Sequence, residues 1–214
     1  MTTGEADARL ADLEANQFEA LYRSRWDSEH AASVVPVLVS CLGVDDTMVL
    51  HRALSALFRI GPAASSAADA VTRLMFHPDT LICEVATHTL GGICMHCPER
   101  AIKPLTQVAL DLKLQKAALF SLILLGRGAT PSFGVFVTAF ESKDARIRRL
   151  AVRGLAESGA SHTVCGPVLS RALKDRNGQV RAAAERLARA LAENKYSLSS
   201  PRLDKAPRLS NLID

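Results

Sequence analysis

The sequence predicts an all-α protein, an α-solenoid of about five helix pairs with an N-terminal capping helix. An alanine recurs every 32 or 33 residues along most of the chain. Apolar residues stand four positions before and after these alanines, which places them on one face of a helix. Alanine and leucine, both strong helix formers, supply most of the 48% of residues that are apolar, whereas aromatic residues make up only 5%. The repeated alanines are Ala53, Ala86, Ala118, Ala151 and Ala184.

Each repeated alanine lies in a helix whose start and end are marked in the sequence. Seven residues earlier stands an Asp or Asn, whose short side chain accepts a backbone N–H and caps a helix N-terminus. Eight residues after three of the alanines stands a glycine, which suits the positive φ favoured at a helix C-terminus. The capping residues are Asp46, Asp79, Asp111, Asp144 and Asn177, and the glycines are Gly61, Gly126 and Gly159.

A second, shorter apolar helix is predicted ahead of each capping residue, so each repeat is a helix pair joined by a tight turn. Neither helix can bury its apolar face alone, and stacking of successive pairs buries these faces in a continuous core. The predicted first helices of the pairs are 35–42, 67–76, 101–109, 133–140 and 164–173.

Three regions follow from this pattern. Residues 1–30 are expected to form an N-terminal capping helix region, and residues 31–195 the solenoid. Residues 196–214 are rich in Ser and Pro and are predicted to be disordered. The alternatives are a short docking peptide or a segment that folds back onto the chain. The five units are approximately 31–61, 62–95, 96–126, 127–159 and 160–195.

The second helices of the last two units begin with similar stretches, Asp-Ala-Arg-Ile-Arg-Arg-Leu-Ala at residues 144–151 and Asn-Gly-Gln-Val-Arg-Ala-Ala-Ala at residues 177–184. These stretches resemble the Asp-x-x-Val-Arg-x-x-Ala core of the HEAT-repeat family. The first three units have Leu50, Cys83 and Gln115 in place of the core arginine. The resemblance covers about residues 31–192 and is to the short bacterial form of the repeat. It implies a scaffold, with Arg148 and Arg181 in a ladder of Asp–Arg pairs between repeats.

Helix geometry predicts which residues of the second helices face outward. Positions two before and two, five and six after the repeated alanine lie opposite the core. In a solenoid, these positions would line the concave surface, where partners usually bind. Phe58, Phe120 and Ile123 are the expected apolar anchors, unless a neighbouring loop or the tail covers them. The basic residues predicted for the same partner-binding site are Arg59, Lys116, Arg149, Arg153, Arg186 and Arg189.

Charge is distributed unevenly along the chain. Residues 1–60 carry five basic and nine acidic side chains, a net charge of −4, whereas residues 141–195 carry twelve basic and six acidic ones, a net charge of +6. A basic surface attracts an acidic protein or a phosphate-bearing partner. The alternative is a solvated face with ion pairs inside each helix.

Several classes of protein are disfavoured. No apolar run has the roughly 20 residues needed to cross a bilayer, and the N-terminus lacks the pattern of a signal peptide. The five cysteines predict reduced thiols and a cytoplasmic protein. Only Cys94, His96 and Cys97 are close enough to share a metal ion, and zinc sites with thiolate ligands normally need four ligands. No metal site, cofactor or catalytic motif is therefore expected, and the chain is predicted not to be an enzyme.

The leading hypothesis is a non-catalytic adaptor or scaffold that binds a protein partner with an acidic patch. Apolar anchors and arginines on the second helices would form the binding surface. An immunity-type or regulatory binder falls within this class. The alternative is nucleic-acid binding through the basic face of the last two repeats, and an enzyme is the least favoured reading.

Overall fold

The computed structural model describes residues 1–22 and 28–192, with the side chains of residues 1–12, 31–189, 191 and 192. Within these ranges the chain forms helices joined by short turns and contains no β-strand, which confirms the all-α prediction. The α-helices are α1 (Thr3–Tyr22), α2 (Ser28–Cys41), α3 (Thr47–Ile60), α4 (Ala68–Leu74), α5 (Thr80–Ile93), α6 (Glu99–Val108), α7 (Gln115–Leu124), α8 (Phe133–Ala139), α9 (Ala145–Glu157), α10 (His162–Ala172) and α11 (Gly178–Ala192).

After α1 the helices follow the predicted order of a shorter first helix and a longer or equal second helix. Helices α2, α4, α6, α8 and α10 occupy the places of the predicted first helices, and each is followed by a second helix that contains a repeated alanine. Two 3-10 helices, Gly61–Ala67 and Gly126–Ser132, precede α4 and α8 and were not predicted. Each contains a proline, Pro62 or Pro131, which lacks the N–H that continued α-helical bonding requires.

Side-chain caps begin most of the second helices. Asp46, Asp79 and Asp144 have extended backbones and accept N–H bonds from the first turns of α3, α5 and α9. Asn177 accepts the N–H of Gln179 in the same way at the start of α11. The predicted cap at Asp111 is wrong, because α7 begins only at Gln115 and the Asp111 carboxylate binds the N–H of Lys113 within the preceding turn.

Three glycines have the positive φ expected of a left-handed C-cap, but the ψ of −140° at Gly61 lies outside the left-handed helical region. Gly61, Gly126 and Gly159 have φ of 68°, 54° and 71°, a region that side chains with a Cβ rarely adopt. Each follows a second helix and lets the chain reverse towards the next pair. The second pair has Cys94 at the equivalent place, with φ of −99°, so its exit from α5 follows a different path.

The described chain divides into two compact units, residues 1–101 and residues 102–192. In the first unit, α1 packs against α2 and α3, and α5 packs against α3 and α4. Ala6 and Leu10 of α1 are buried, as are Ala53 and Ala86. The small alanine side chains let the backbones of α3 and α5 come close together.

In the second unit, α9 packs against α7, α8 and α11, and α11 also packs against α10. Ala118, Ala151 and Ala184 are each 0% exposed, so the repeated alanine has the same role in all three second helices. The predicted tail, residues 196–214, lies outside the described residues, as do residues 23–27 of the predicted N-terminal region.

Candidate functional site

A group of exposed basic residues of the second unit lies on α9 and α11. Arg149, Arg153, Arg186 and Arg189 are all exposed, as their positions relative to the repeated alanines predicted. Lys116 is half-buried at the corresponding place on α7, two residues before Ala118. α9 packs against both α7 and α11, and these basic residues follow the outward positions that the repeated alanine of each helix defines. We call these five residues the basic face.

The residues of the basic face are held mainly by neutral groups or by weak ion pairs. Arg149 Nη1 donates to Gln179 Oε1 at 2.9 Å, which links α9 to α11. Arg153 Nε lies 3.8 Å from Glu157 Oε1 on the same helix, with the Arg153 side chain 53% exposed. Arg189 Nε donates to the Glu185 carbonyl at 3.4 Å. Exposed pairs of this kind contribute little to stability, so a partner can displace them easily.

Two of the predicted apolar anchors are buried, and their assignment to an exposed surface is wrong. Phe58 is 4% exposed, and its ring covers Gly92 of α5, where an added Cβ would lie 2.8 Å from Phe58 Cδ2. Ile123 on α7 is 5% exposed. Both lie five residues after a repeated alanine. At this position, Phe58 faces the neighbouring second helix rather than solvent, because α3 and α5 pack side by side.

The remaining predicted site residues divide by exposure. Phe120 is half-buried on α7, and Arg59 is exposed at the end of α3 in the first unit. Among the predicted site residues, the exposed ones are therefore all basic, and Phe120 is the one aromatic side chain that is partly accessible.

The charge along α9 opposes the dipole of the helix. Basic residues concentrate near the N-terminus of α9, and Glu157 lies in its last turn. A helix is stabilised by the opposite arrangement, with acidic groups near its N-terminus. Asp144 partly compensates, since its carboxylate accepts the backbone N–H of Arg146 and this bond lowers the pKa of Asp144.

Arg148 and Arg181, which the resemblance assigned to a ladder, have other roles than the basic face. Arg148 is 7% exposed and pairs with Asp175 in the turn before α11. Arg181 Nη1 donates to the carbonyls of Asp175 and Arg176. Their guanidinium groups hold turns together, so excluding them from the binding surface agrees with their contacts.

The side chains of the described residues form no cluster of three or more His, Cys, Asp or Glu that could hold a metal ion. Of the residues considered for a metal, Cys94 is buried, Cys97 is half-buried and His96 is exposed. In the part of the chain that the structure describes, no helix is both long enough and apolar enough to span a membrane.

The chain matches no protein-family model, and no curated protein is significantly similar to it in sequence.

Proposed function

We propose that the chain is a non-catalytic, cytoplasmic adaptor that binds an acidic surface of a protein partner through its basic face. The observation that carries this proposal is the exposure of four arginines on two helices packed against each other. Among the described residues, Arg149, Arg186 and Arg189 have no carboxylate within ion-pair distance. Positive charge without local compensation is available to pair with the carboxylates of another molecule.

We further propose that the helix pairs stack as a HEAT-like solenoid. Supporting this are the side-by-side packing of α3 and α5 in the first unit and of α7, α9 and α11 in the second. The burial of an alanine at the same place in each of these helices also supports it. In such a stack the basic face would lie on the surface formed by successive second helices.

Exposed arginines can bind a nucleic acid as well as an acidic protein, but two observations favour a protein partner. Glu157 and Glu185 are exposed on the same two helices and would repel a continuous phosphate backbone. Single-stranded nucleic acids also bind through exposed aromatic rings, and the aromatic ring nearest the basic face by sequence position, Phe120, is half-buried. An acidic protein surface can place its carboxylates between the two glutamates.

The experiment is an affinity purification of the tagged chain from its native lysate, with and without nuclease treatment. The wild type is compared with a double variant, Arg149→Glu and Arg153→Glu. A matched control, Lys103→Glu and Lys113→Glu, makes the same change in net charge at exposed residues of the second unit outside the basic face. Circular dichroism verifies that each variant remains helical.

We expect a protein that survives nuclease treatment, is retained by the control variant and is lost with the arginine variant. Retention by both variants would remove the arginines from the site. Material that disappears after nuclease treatment would favour nucleic-acid binding. A steep fall in affinity between low and physiological salt would then be expected, since phosphate contacts release bound counterions.

A further inference from the structure

Two cysteines lie together in the link between α5 and α6. Cys94 ends α5, with its N–H bonded to the Leu90 carbonyl at 3.1 Å. The N–H of Cys97 donates to the Cys94 carbonyl at 3.0 Å, which closes a four-residue turn. Such turns hold their first and fourth Cα atoms within about 7 Å, and a disulfide requires about 4.4 to 6.8 Å. The backbone therefore already has a geometry close to that of a Cys94–Cys97 disulfide.

The two thiols differ in their exposure to solvent. Cys94 is fully buried, whereas Cys97 is half-buried and within reach of a small reagent. Burial, together with the neighbouring Cys97, raises the pKa of Cys94 to about 12. Cys97 is thus the thiol that meets an external reagent first, and Cys94 is its protected neighbour.

The other three cysteines have structural contacts instead. Cys41, Cys83 and Cys165 are all buried. Their thiols donate to the carbonyls of Ala6, His77 and Ala160, at 3.7, 2.9 and 3.5 Å respectively. Buried thiols used in this way are poor nucleophiles. The pair in the link therefore differs from every other cysteine of the chain.

A positive charge lies beside the pair. Arg100 follows Cys97 by three residues, and its guanidinium is fixed by bonds to the Ser65 carbonyl at 2.7 Å and to Asp69 Oδ1 at 3.0 Å. Its charge opposes the rise in the pKa of Cys94, whereas Glu99 adds to that rise. The hydrogen bond to Asp69 raises the pKa of Arg100, and the two cysteines add to this effect.

We propose that Cys94 and Cys97 form a redox-active dithiol that exchanges with small-molecule disulfides of the glutathione type. In the first step, the Cys97 thiolate attacks one sulfur of glutathione disulfide, breaks its S–S bond and releases one glutathione thiolate. In the second step, Cys94 loses its proton and attacks the Cys97 sulfur of the mixed disulfide, which releases the second glutathione. The two cysteines are oxidised to one disulfide, and one glutathione disulfide is reduced to two thiols that take up the two protons.

The test measures the disulfide in the full-length chain at equilibrium with defined ratios of reduced and oxidised glutathione. Oxygen is excluded, exchange is stopped with acid, and free thiols are alkylated after unfolding. Trypsin cleavage after Arg73 and Arg100 releases one peptide, 74–100, that contains Cys83, Cys94 and Cys97. We expect a form of this peptide in which Cys94 and Cys97 have lost their two thiol hydrogens and only Cys83 is alkylated. The abundance of this form should rise as the glutathione becomes more oxidised.

Variants test the order of the two steps. Cys94→Ser should trap glutathione on Cys97, because the second step cannot occur, whereas Cys97→Ser should abolish both products. Cys165→Ser is the control and should leave the Cys94–Cys97 disulfide unchanged. Alkylation of all three cysteines of the wild-type peptide at the most oxidising ratio would overturn the proposal. A disulfide to Cys83, or glutathione that stays on Cys97 in the wild type, would overturn it equally.

Discussion

Arg148 and Asp175 form a two-pronged ion pair that joins α9 to the turn before α11. Arg148 Nε lies 2.7 Å from Asp175 Oδ2, and Arg148 Nη2 lies 2.9 Å from Asp175 Oδ1. Both side chains are less than 10% exposed. The third nitrogen, Nη1, donates to the carbonyls of Ser142 and Lys143 at 2.9 Å. One guanidinium therefore connects the turns of two successive helix pairs.

Removing one partner of this pair is expected to be strongly destabilising. Arg148→Ala should lower the free energy of unfolding by about 3 kcal/mol, because Asp175 would remain as a buried charge without its cation. The matched control is Arg146→Ala on the same helix. Arg146 pairs with Asp144 at 3.4 Å with both side chains exposed, so its loss should cost less than about 1 kcal/mol. Urea unfolding followed by circular dichroism measures both values, and equal losses would contradict the role assigned to the Arg148–Asp175 pair.

The same pair predicts a pH dependence of stability. The hydrogen bond from Arg148 lowers the pKa of Asp175, and the backbone N–H of Asn177 lowers it further, although burial opposes both. A carboxyl group with a lowered folded-state pKa contributes stability that is complete above its unfolded pKa of about 3.9. This contribution is lost as pH falls from that value through the folded pKa.

The pH prediction is measured as a difference between two proteins. The free energy of unfolding of the wild type minus that of Asp175→Asn should be constant from pH 7 to pH 5 and should shrink below about pH 4. The subtraction removes the contributions of Glu141 and Asp144, whose pKa values are also lowered. A difference that stays constant down to pH 3 would show that the ionised Asp175 is not stabilised by Arg148.

The helices and most of their caps could be predicted because their signals are local. A capping Asp acts on the N–H groups two or three residues later, and a buried alanine recurs at a fixed spacing. The two 3-10 helices and the late start of α7 could not be predicted, since backbone choices in a turn depend on the packing around it. Asp111 has the residue type of a cap but binds the N–H of Lys113 within the turn.

The candidate site could be predicted only for its exposed charges. Helix geometry placed Arg149 and Arg153 on the outer side of α9, and both are exposed. The same geometry failed for Phe58, because Gly92 of the neighbouring helix leaves room for its ring. Whether one side of a helix is exposed depends on the neighbouring helix. The residue pattern of a single helix carries no information about that neighbour.

The residue three positions before the repeated alanine makes the same kind of hydrogen bond in four of the five units, although its type differs from unit to unit. In four units its side chain donates to the carbonyl six residues earlier, although the donor is a thiol, an amide or a guanidinium. The bonds are Cys83 to His77, Gln115 to Ala109, Arg148 to Ser142 and Arg181 to Asp175. The apparent loss of the arginine from the second and third units is therefore a change of donor.

This shared hydrogen bond predicts that, at this position, a hydrogen-bond donor contributes more to stability than a positive charge does. Gln115→Met removes the donor to the Ala109 carbonyl with little change in size and should cost about 1 kcal/mol. Gln115→Arg restores a donor of the kind found at Arg148 and should cost less. Glutamine, methionine and arginine have similar helix propensities, so the comparison isolates the hydrogen bond. Urea unfolding measures the difference, and a methionine variant as stable as the arginine variant would contradict the prediction.

Gly154 is required by the ring of Phe136, and its replacement should destabilise the second unit. A Cβ added at Gly154 would clash with the ring of Phe136, and Phe136 is fully buried, so its ring cannot swing into solvent. Overpacking of a core costs about 1 to 3 kcal/mol. Alanine recovers at most about 1 kcal/mol through its higher helix propensity. We therefore expect Gly154→Ala to lower the unfolding temperature.

The matched control for this change is Gly166→Ala in the interior of α10. An added Cβ there would meet no atom within 4 Å, so only the gain in helix propensity remains and the unfolding temperature should rise. The two substitutions are chemically identical and should have opposite signs in a thermal unfolding experiment. Adding Phe136→Leu to Gly154→Ala should reduce the destabilisation caused by the alanine, measured relative to Phe136→Leu alone, because the smaller side chain leaves room for the new Cβ. A rise in unfolding temperature for both alanine variants would show that the ring of Phe136 yields to the added methyl group.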